Sequence, residues 1–424
     1  MISLPSCFAA PPVVRWAVRV VTLLAATSLP LAAGCGSEPP GMTSGVGGAG
    51  AGAGEGGAGD PAPPDAGAPD SGGPPSIAPR GLHAVGNHIE DGDGHTVVLR
   101  GVNRSGTEYM CIQGRGLHEG PADAASVRAI ASWKANAVRV PLNETCWLAI
   151  NGAPAPYSGE TYKAAIRDYV ATLQAQGLVP ILDLHWSAPG ALLATRLQPM
   201  PDLDHSVAFW SEVAATFAPN DGVVFEPFNE PYPSNNQNTD AAWTCWRDGC
   251  TANVAPRTTV PPTYQAVGMQ ALVNAIRGAG ARNLILLGGV QFANTLTQWM
   301  TYKPDDPLNN LGATWHAYNF NACNTQACWD GAPAMVAAAV PLVATEFGER
   351  DCQSTFVVPL MQWFDAHTAG YLAWAWDAYG ECVPYVSAMQ PGNPFSLIGP
   401  TQNDFSGTPN TGYGQAIFDH LTAF

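Results

Sequence analysis

Eight short apolar runs alternate with amphipathic stretches from Leu99 to the end of this 424-residue chain, and few folds accommodate that order. The runs are Leu99–Asn103, Ala137–Pro141, Val179–His185, Val223–Asn229, Leu284–Gly288, Ala313–His316, Leu342–Glu346 and Leu372–Trp376. Nearly continuous apolar character reads as strands covered on both faces, the pattern of a parallel sheet. Between them lie helix-like stretches such as Pro121–Lys134, Gly159–Gln176, Asp204–Phe217, Thr263–Gly278 and Ser354–Thr368, with Tyr413–Leu421 as the last. Repeated βα units of this number close as a (β/α)8 barrel. Ahead of it, Asp91-Gly92-Asp93-Gly94 reads as the turn of a short N-terminal β-hairpin returning through Thr96 to Leu99.

The barrel is expected over residues 80–424. Upstream, residues 1–35 read as an export signal: Arg15 and Arg19 precede Val20 to Ala33, an apolar stretch too short to span a bilayer. The string ending at Cys35 resembles a bacterial lipoprotein signal, in which that cysteine is acylated and anchors the protein to a membrane. It departs from the usual pattern in having Ala32 three residues before Cys35 and Leu31 one step further back; plain secretion is the alternative. Residues 36–79 are Gly, Ala, Pro and scattered acids, and such a stretch is expected to be a disordered linker. As a flexible coil its ends would stand about 35 Å apart.

With 34 acidic residues against 18 basic ones, nucleic acid is excluded as a natural partner and so is adsorption to an anionic lipid face. Acidity suits neutral substrates and a monomer. Eight cysteines remain beyond Cys35, an even number that in an exported chain implies disulfides. Cys245 with Cys250 and Cys323 with Cys328 are close enough to staple single loops; Cys111 with Cys146 and Cys352 with Cys382 would then link neighbouring loops, with the connectivity left open by the sequence. No Cys-x-x-Cys or His-x-x-x-His pair supports zinc among them, and the chain calls for no metal or organic cofactor.

In a parallel barrel the working residues stand at the C-terminal ends of the strands. Two of those ends carry a carboxylate: Glu230 in FEPFNEPYP and Glu346 in PLVATEFGE. Two such groups in one barrel mouth can cleave a glycosidic bond, one giving a proton to the leaving oxygen and the other, ionised, attacking the anomeric carbon. The remaining strand ends complete an ordered set: Arg139 in AVRVPLNE, His185 in ILDLHW, Asn229 before Glu230, His316 and Tyr318 in TWHAYNF, and Trp376 in LAWAWD.

This set resembles the catalytic barrel of glycoside hydrolase family 5, the cellulase-like retaining enzymes, over essentially all of residues 80–424. The resemblance implies that Glu230 is the acid/base and Glu346 the nucleophile. It implies that Arg139, His185, Asn229, His316, Tyr318 and Trp376 bind substrate or orient the carboxylates. An Arg139 guanidinium would hold Glu346 ionised, and Tyr318 could donate to it. Asn229 would bond the 2-hydroxyl next to the reacting carbon, and Trp376 would offer a face to a sugar ring.

Each residue has a plainer reading. His185 and His316 could be satisfied core histidines, Arg139 could merely pair with Glu144 or Asp183, and at least one of Trp374 and Trp376 should be core. Glu226 reads as a buried structural acid; Glu349 and Asp351 read as loop charges. Trp147, Trp186, Trp246 and Tyr109 are either sugar platforms or loop packing, and the long insertion from Pro231 to Pro262, with Trp243 and Trp246, is expected to wall the cleft. The expected activity is a retaining endo-β-glycanase acting on a polysaccharide or oligosaccharide, with β-1,4-glucan the first choice of polymer and β-mannan the alternative. From another class, a catalytically inactive carbohydrate-binding surface lipoprotein is the rival. An amidohydrolase barrel would require His-x-His where the chain has Val102-Asn103-Arg104, and no nucleotide fingerprint is present.

Overall fold

A computed structural model describes residues 77–255, 262–390 and 392–424. The readings made for the export signal, Cys35 and nearly all of the linker fall outside them. The barrel strands are β1 (Arg100–Asn103), β2 (Ala137–Asn143), β3 (Val179–Trp186), β4 (Val224–Glu226), β5 (Ile285–Gly288), β6 (Leu311–Tyr318), β7 (Leu342–Gly348) and β8 (Gly370–Ala373). They pair in parallel in chain order, and β8 returns to β1 through Tyr371 opposite Arg100, which closes the barrel. All eight expected strands exist, with ends shifted by a few residues.

Helices clothe the barrel because their apolar stripes face it. In Glu160–Ala175 the buried residues Tyr162, Ile166, Tyr169, Val170 and Leu173 recur at helical spacing. Val357–Ala366 and Tyr413–Thr422 pack likewise. One expected helix is shorter than its sequence pattern suggested. Thr263–Ala266 is a strand antiparallel to Cys250–Asn253, and the helix starts only at Met269. Its alternating exposed and buried side chains give the period of two that marks a strand. The Cys245–Cys250 disulfide ties the first strand of this ribbon to the helix Asp240–Asp248 that precedes it.

The bottom of the barrel is plugged. His83–Val85, His88–Glu90 and Thr96–Val97 form a three-stranded antiparallel sheet, one strand more than the expected hairpin. Leu82, Ile89 and Leu99 pack with strand-start residues Ala137, Val179, Val224, Leu284, Val343 and Leu372 in one buried cluster. Nearby, Arg80 pairs with Asp221 at 2.8 Å, and the Leu82 amide donates to the Asp221 carbonyl. All four expected disulfides are formed: Cys111–Cys146, Cys245–Cys250, Cys323–Cys328 and Cys352–Cys382.

β7 carries one residue more than either neighbour. Thr314 lies opposite Val343 but His316 lies opposite Glu346, and on the other side Ala344 faces Tyr371 whereas Phe347 faces Ala373. This β-bulge falls on Thr345 and Glu346. Successive side chains of a regular strand point to opposite faces, but a bulge lets two neighbours turn the same way.

Candidate active site

The bulge sends both Thr345 and Glu346 into the barrel mouth. Thr345 Oγ1 donates to Glu226 Oε1 at 2.9 Å, while Glu346 Oε1 accepts from Arg139 Nη1 at 2.6 Å. Arg139 rises from β2 fully buried and organises the floor of the site. Its Nε donates to Glu226 at 2.6 Å, Nη1 also reaches Asn103 Oδ1 at 3.1 Å, and Nη2 reaches Asn229 Oδ1 at 2.7 Å and Asp183 at 3.1 Å. A guanidinium has five N–H donors in a fixed fork, and here its three nitrogens are shared among five acceptor residues. Pairing with Asp183 and serving Glu346 are therefore not alternatives.

Asn229 has its amide orientation set by Arg139, since Oδ1 accepts from Nη2. Its Nδ2 is turned towards His185 Nε2, 3.4 Å away. His185 Nδ1 faces Asp183 at 2.9 Å. Burial works against a charge on His185, but Asp183 beside it outweighs that and holds its pKa above the ordinary value. The ring stacks on Trp374 with centroids 5.5 Å apart and an interplanar angle of 11°.

Between the two candidate carboxylates stands His316. Nδ1 lies 3.0 Å from Glu230 and 3.4 Å from Glu346; Nε2 lies 3.2 Å from Thr345 Oγ1. Burial disfavours its charge, yet Glu346, Glu226 and Glu230 surround it and raise its pKa to about 9. Glu346 is buried too, which favours its neutral form. His316 and Arg139 together overcome this and hold its pKa below the usual range. Tyr318 adds a hydrogen bond of 2.7 Å from its hydroxyl to Glu346 Oε2. The result is an ionised carboxylate oriented through both oxygens.

Glu230 follows β4 and is the more open of the two, with its side chain 22% exposed against 6% for Glu346. One oxygen of each, with a ring nitrogen of His316, lies within 4.8 Å of the others. Three such donors could in principle hold a metal ion. An imidazolium committed to the two carboxylates has no lone pair to give one, so the arrangement suits proton chemistry better.

The cleft above is lined by His185, Asn229, Glu230, Phe292, Tyr318, Phe320, Asn321, Glu346, Trp374 and Phe395. Seven of the eight residues expected at the site thus meet there or directly beneath it. Trp376 does not. It is 1% exposed and packs edge-on against Trp133 at 4.8 Å, behind the wall. The expectation rested on the resemblance, with Trp376 taken as the end of the eighth strand, but β8 ends at Ala373, so Trp374 and Trp376 lie beyond the strand and face different ways. Of the two tryptophans it is Trp374 that lines the cleft.

Other loop readings also change. Trp147, Trp243 and Trp246 are fully buried; Trp246 Nε1 donates to the Gly288 carbonyl, so the insertion is pinned to β5 instead of presenting these rings to the cleft. Glu349 is buried, accepting from the amides of Phe356 and Val357 at the start of the helix Val357–Ala366. Glu226 is the buried structural acid it was expected to be. Thr345, Phe292, Phe320 and Phe395 were not foreseen, since nothing in their local sequence marks them.

A closed parallel barrel whose C-terminal mouth holds two carboxylates bridged by a histidine, one of them also held by an arginine, is the architecture of a barrel glycosidase. The family model described as "Cellulase (glycosyl hydrolase family 5)" matches residues 91–380. This chain belongs to that family and is a glycoside hydrolase. It is similar to a mannan endo-1,4-beta-mannosidase of Streptomyces lividans, 24% identical over 330 residues that cover 75% of this chain and 71% of that protein. A second such enzyme, from Salipaludibacillus agaradhaerens, is 22% identical, covering 70% of this chain and 81% of the other. Among solved structures, a beta-glucanase from Saccharophagus degradans superposes with a TM-score of 0.56 at 18% identity, covering 85% of this chain and 98% of its own. A beta-mannanase from Streptomyces thermolilacinus gives 0.54 at 21% identity, covering 81% and 97%. These likenesses agree with the fold.

Proposed function

We propose that the protein is a retaining endo-β-1,4-mannanase, with Glu346 as nucleophile and Glu230 as acid/base. The observation that carries the mechanism is the spacing of the two carboxylates. Oxygens within 4.8 Å of each other suit the roughly 5 Å separation of a double displacement and leave too little room for the water of an inverting enzyme. Glu346, kept ionised by His316 and Arg139, attacks the anomeric carbon while Glu230 protonates the departing oxygen. In the second step Glu230 takes a proton from water, which attacks the glycosyl ester and frees Glu346. Asn229 Nδ2, aimed by Arg139, is the donor to the adjacent 2-hydroxyl, and Trp374 is the platform under the reacting ring.

The choice of mannan is supported by the two curated relatives that cover most of the chain. β-1,4-Glucan is the second reading: an endoglucanase from a Microbulbifer strain is 26% identical, over 38% of this chain. The test is reducing-sugar release from galactomannan, carboxymethylcellulose, mixed-linkage β-glucan, xylan and laminarin, with Glu346→Gln as the blank. Release from galactomannan alone supports the proposal, and release from carboxymethylcellulose alone replaces mannan by glucan. Binding without turnover on any polymer favours the carbohydrate-binding rival. We further propose a monomer exported and held to a membrane through an acylated Cys35, testable by metabolic labelling with a fatty acid and its loss in Cys35→Ser.

A further inference from the structure

Two buried acids take no part in the chemistry above. Glu144 opens the short helix Glu144–Leu148 directly after β2, and Asp202 lies on the segment that joins β3 to the helix Ser206–Phe217. Asp202 Oδ1 accepts from the His205 amide at 2.8 Å, and Glu144 Oε2 accepts from the Ala188 amide at 3.1 Å. Ser206 stands between them, its Oγ 2.6 Å from Glu144 Oε1 and 3.3 Å from Asp202 Oδ2. That hydroxyl has a single hydrogen to give, and Glu144 is the nearer acceptor. The two carboxyls also hydrogen-bond each other, which requires that one of them keep a proton. Burial, and for Glu144 the charge of Asp202 as well, raise both above their ordinary pKa values.

The groups around the pair do not replace that proton. Lys163, over the Trp147 ring, is committed to Glu212. Asp204 Oδ2 accepts from the Gly190 amide at 2.8 Å, and His205 Nε2 lies 2.8 Å from the Gly190 carbonyl. Tyr264 donates its hydroxyl to the Met200 carbonyl at 2.6 Å. Among the described residues neither acid has a lysine or arginine partner. What the pair joins is the segment 187–205, which leaves β3 just after His185 and Trp186, to the helix that follows β2. Ala194 rests on the same support, its amide donating to Thr145 Oγ1 at 2.7 Å and its carbonyl accepting from Asn143 Nδ2 at 2.8 Å. From this arrangement we propose that a proton shared by Glu144 and Asp202 is the clasp of this loop, holding it against the helix at low pH and letting it open as pH rises.

An opened loop exposes both acids to water, where they ionise at about pH 4, so above about pH 5 opening releases one proton. The opening equilibrium should then rise about tenfold per pH unit until the closed pair itself ionises. Hydrogen exchange of the whole protein between pH 5 and about 8, corrected for intrinsic exchange and read by mass spectrometry on peptides from 187–205, measures it. Wild-type protection of these peptides should fall about tenfold per pH unit at the acidic end of that range, while peptides of β6 and β7 keep theirs. Asp202→Asn retains the acceptor for the His205 amide and gives Glu144 a hydrogen that base does not remove, so its loop should show no such slope. Glu144→Gln should behave alike and serves if the asparagine variant fails to fold. Wild-type protection independent of pH would overturn the proposal. So would variants that keep the wild-type slope, since another group would then be the one titrating.

Discussion

Thr345 Oγ1 accepts a 3.2 Å hydrogen bond from Nε2 of His316, because its own proton already goes to Glu226. Nε2 therefore carries a hydrogen, and Nδ1, facing Glu230 and Glu346, carries another when the ring is charged. A free histidine titrates near 6.5 and this one near 9. The raised value means that its stabilising effect is complete below pH 6.5 and is lost as pH rises through 9. Melting temperature should thus fall between pH 6.5 and 9.5 more steeply in the wild type than in His316→Gln. Parallel curves from calorimetry would contradict the charged imidazole.

The nucleophile assignment has a chemical signature. Glu346→Ala should lose at least about 10⁴-fold in turnover, by comparison with loss of other enzymatic nucleophiles. Added azide should restore activity and yield a glycosyl azide of inverted configuration, read by NMR. Absence of any rescue removes Glu346 from that role.

Glu230 is tested by leaving-group quality. Glu230→Ala should cost about 10²- to 10⁴-fold on polymer, and much less on aryl glycosides that depart without protonation. Equal loss on both classes in steady-state assays argues against an acid role.

Trp374 and Trp376, two residues apart, should separate cleanly. Trp374→Ala should depress activity while leaving the melting temperature nearly unchanged, since its ring is in the cleft. Trp376→Ala empties part of the packing against Trp133 and should cost about 3–5 kcal/mol of stability by denaturant titration.

The disulfides differ in the lengths they enclose. Sequence separations of 35 and 30 for Cys111–Cys146 and Cys352–Cys382, against 5 for the other two, correspond to roughly 3.7 and about 2 kcal/mol in the loop-entropy model. Double-serine variants of the long pairs should therefore melt lower than those of the short pairs.

The barrel was legible because eight covered strands cannot avoid being apolar throughout, and the site because its residues sit where strands end. Arg139, Asn229 and Glu346 could be placed from their strings alone. What escaped the sequence were departures from regular geometry. The extra residue in β7 turns Thr345 inward next to Glu346, and the early end of β8 exchanges Trp376 for Trp374. The backbone turn at Gln291–Ala293, left-handed at all three residues, has no glycine to announce it. In each case long-range packing overrode the local period on which the reading depended.

The plug at the foot of the barrel also fixes how the molecule can be displayed. The first described residues, Ile77 to Arg80, run beside Gln174 and Asp221, next to the starts of β3 and β4, while the cleft opens at the strands' far ends. Anything joined upstream, whether a bead, a fusion partner or a surface, is attached at the closed pole. A long polymer can then approach the open pole without threading past the attachment.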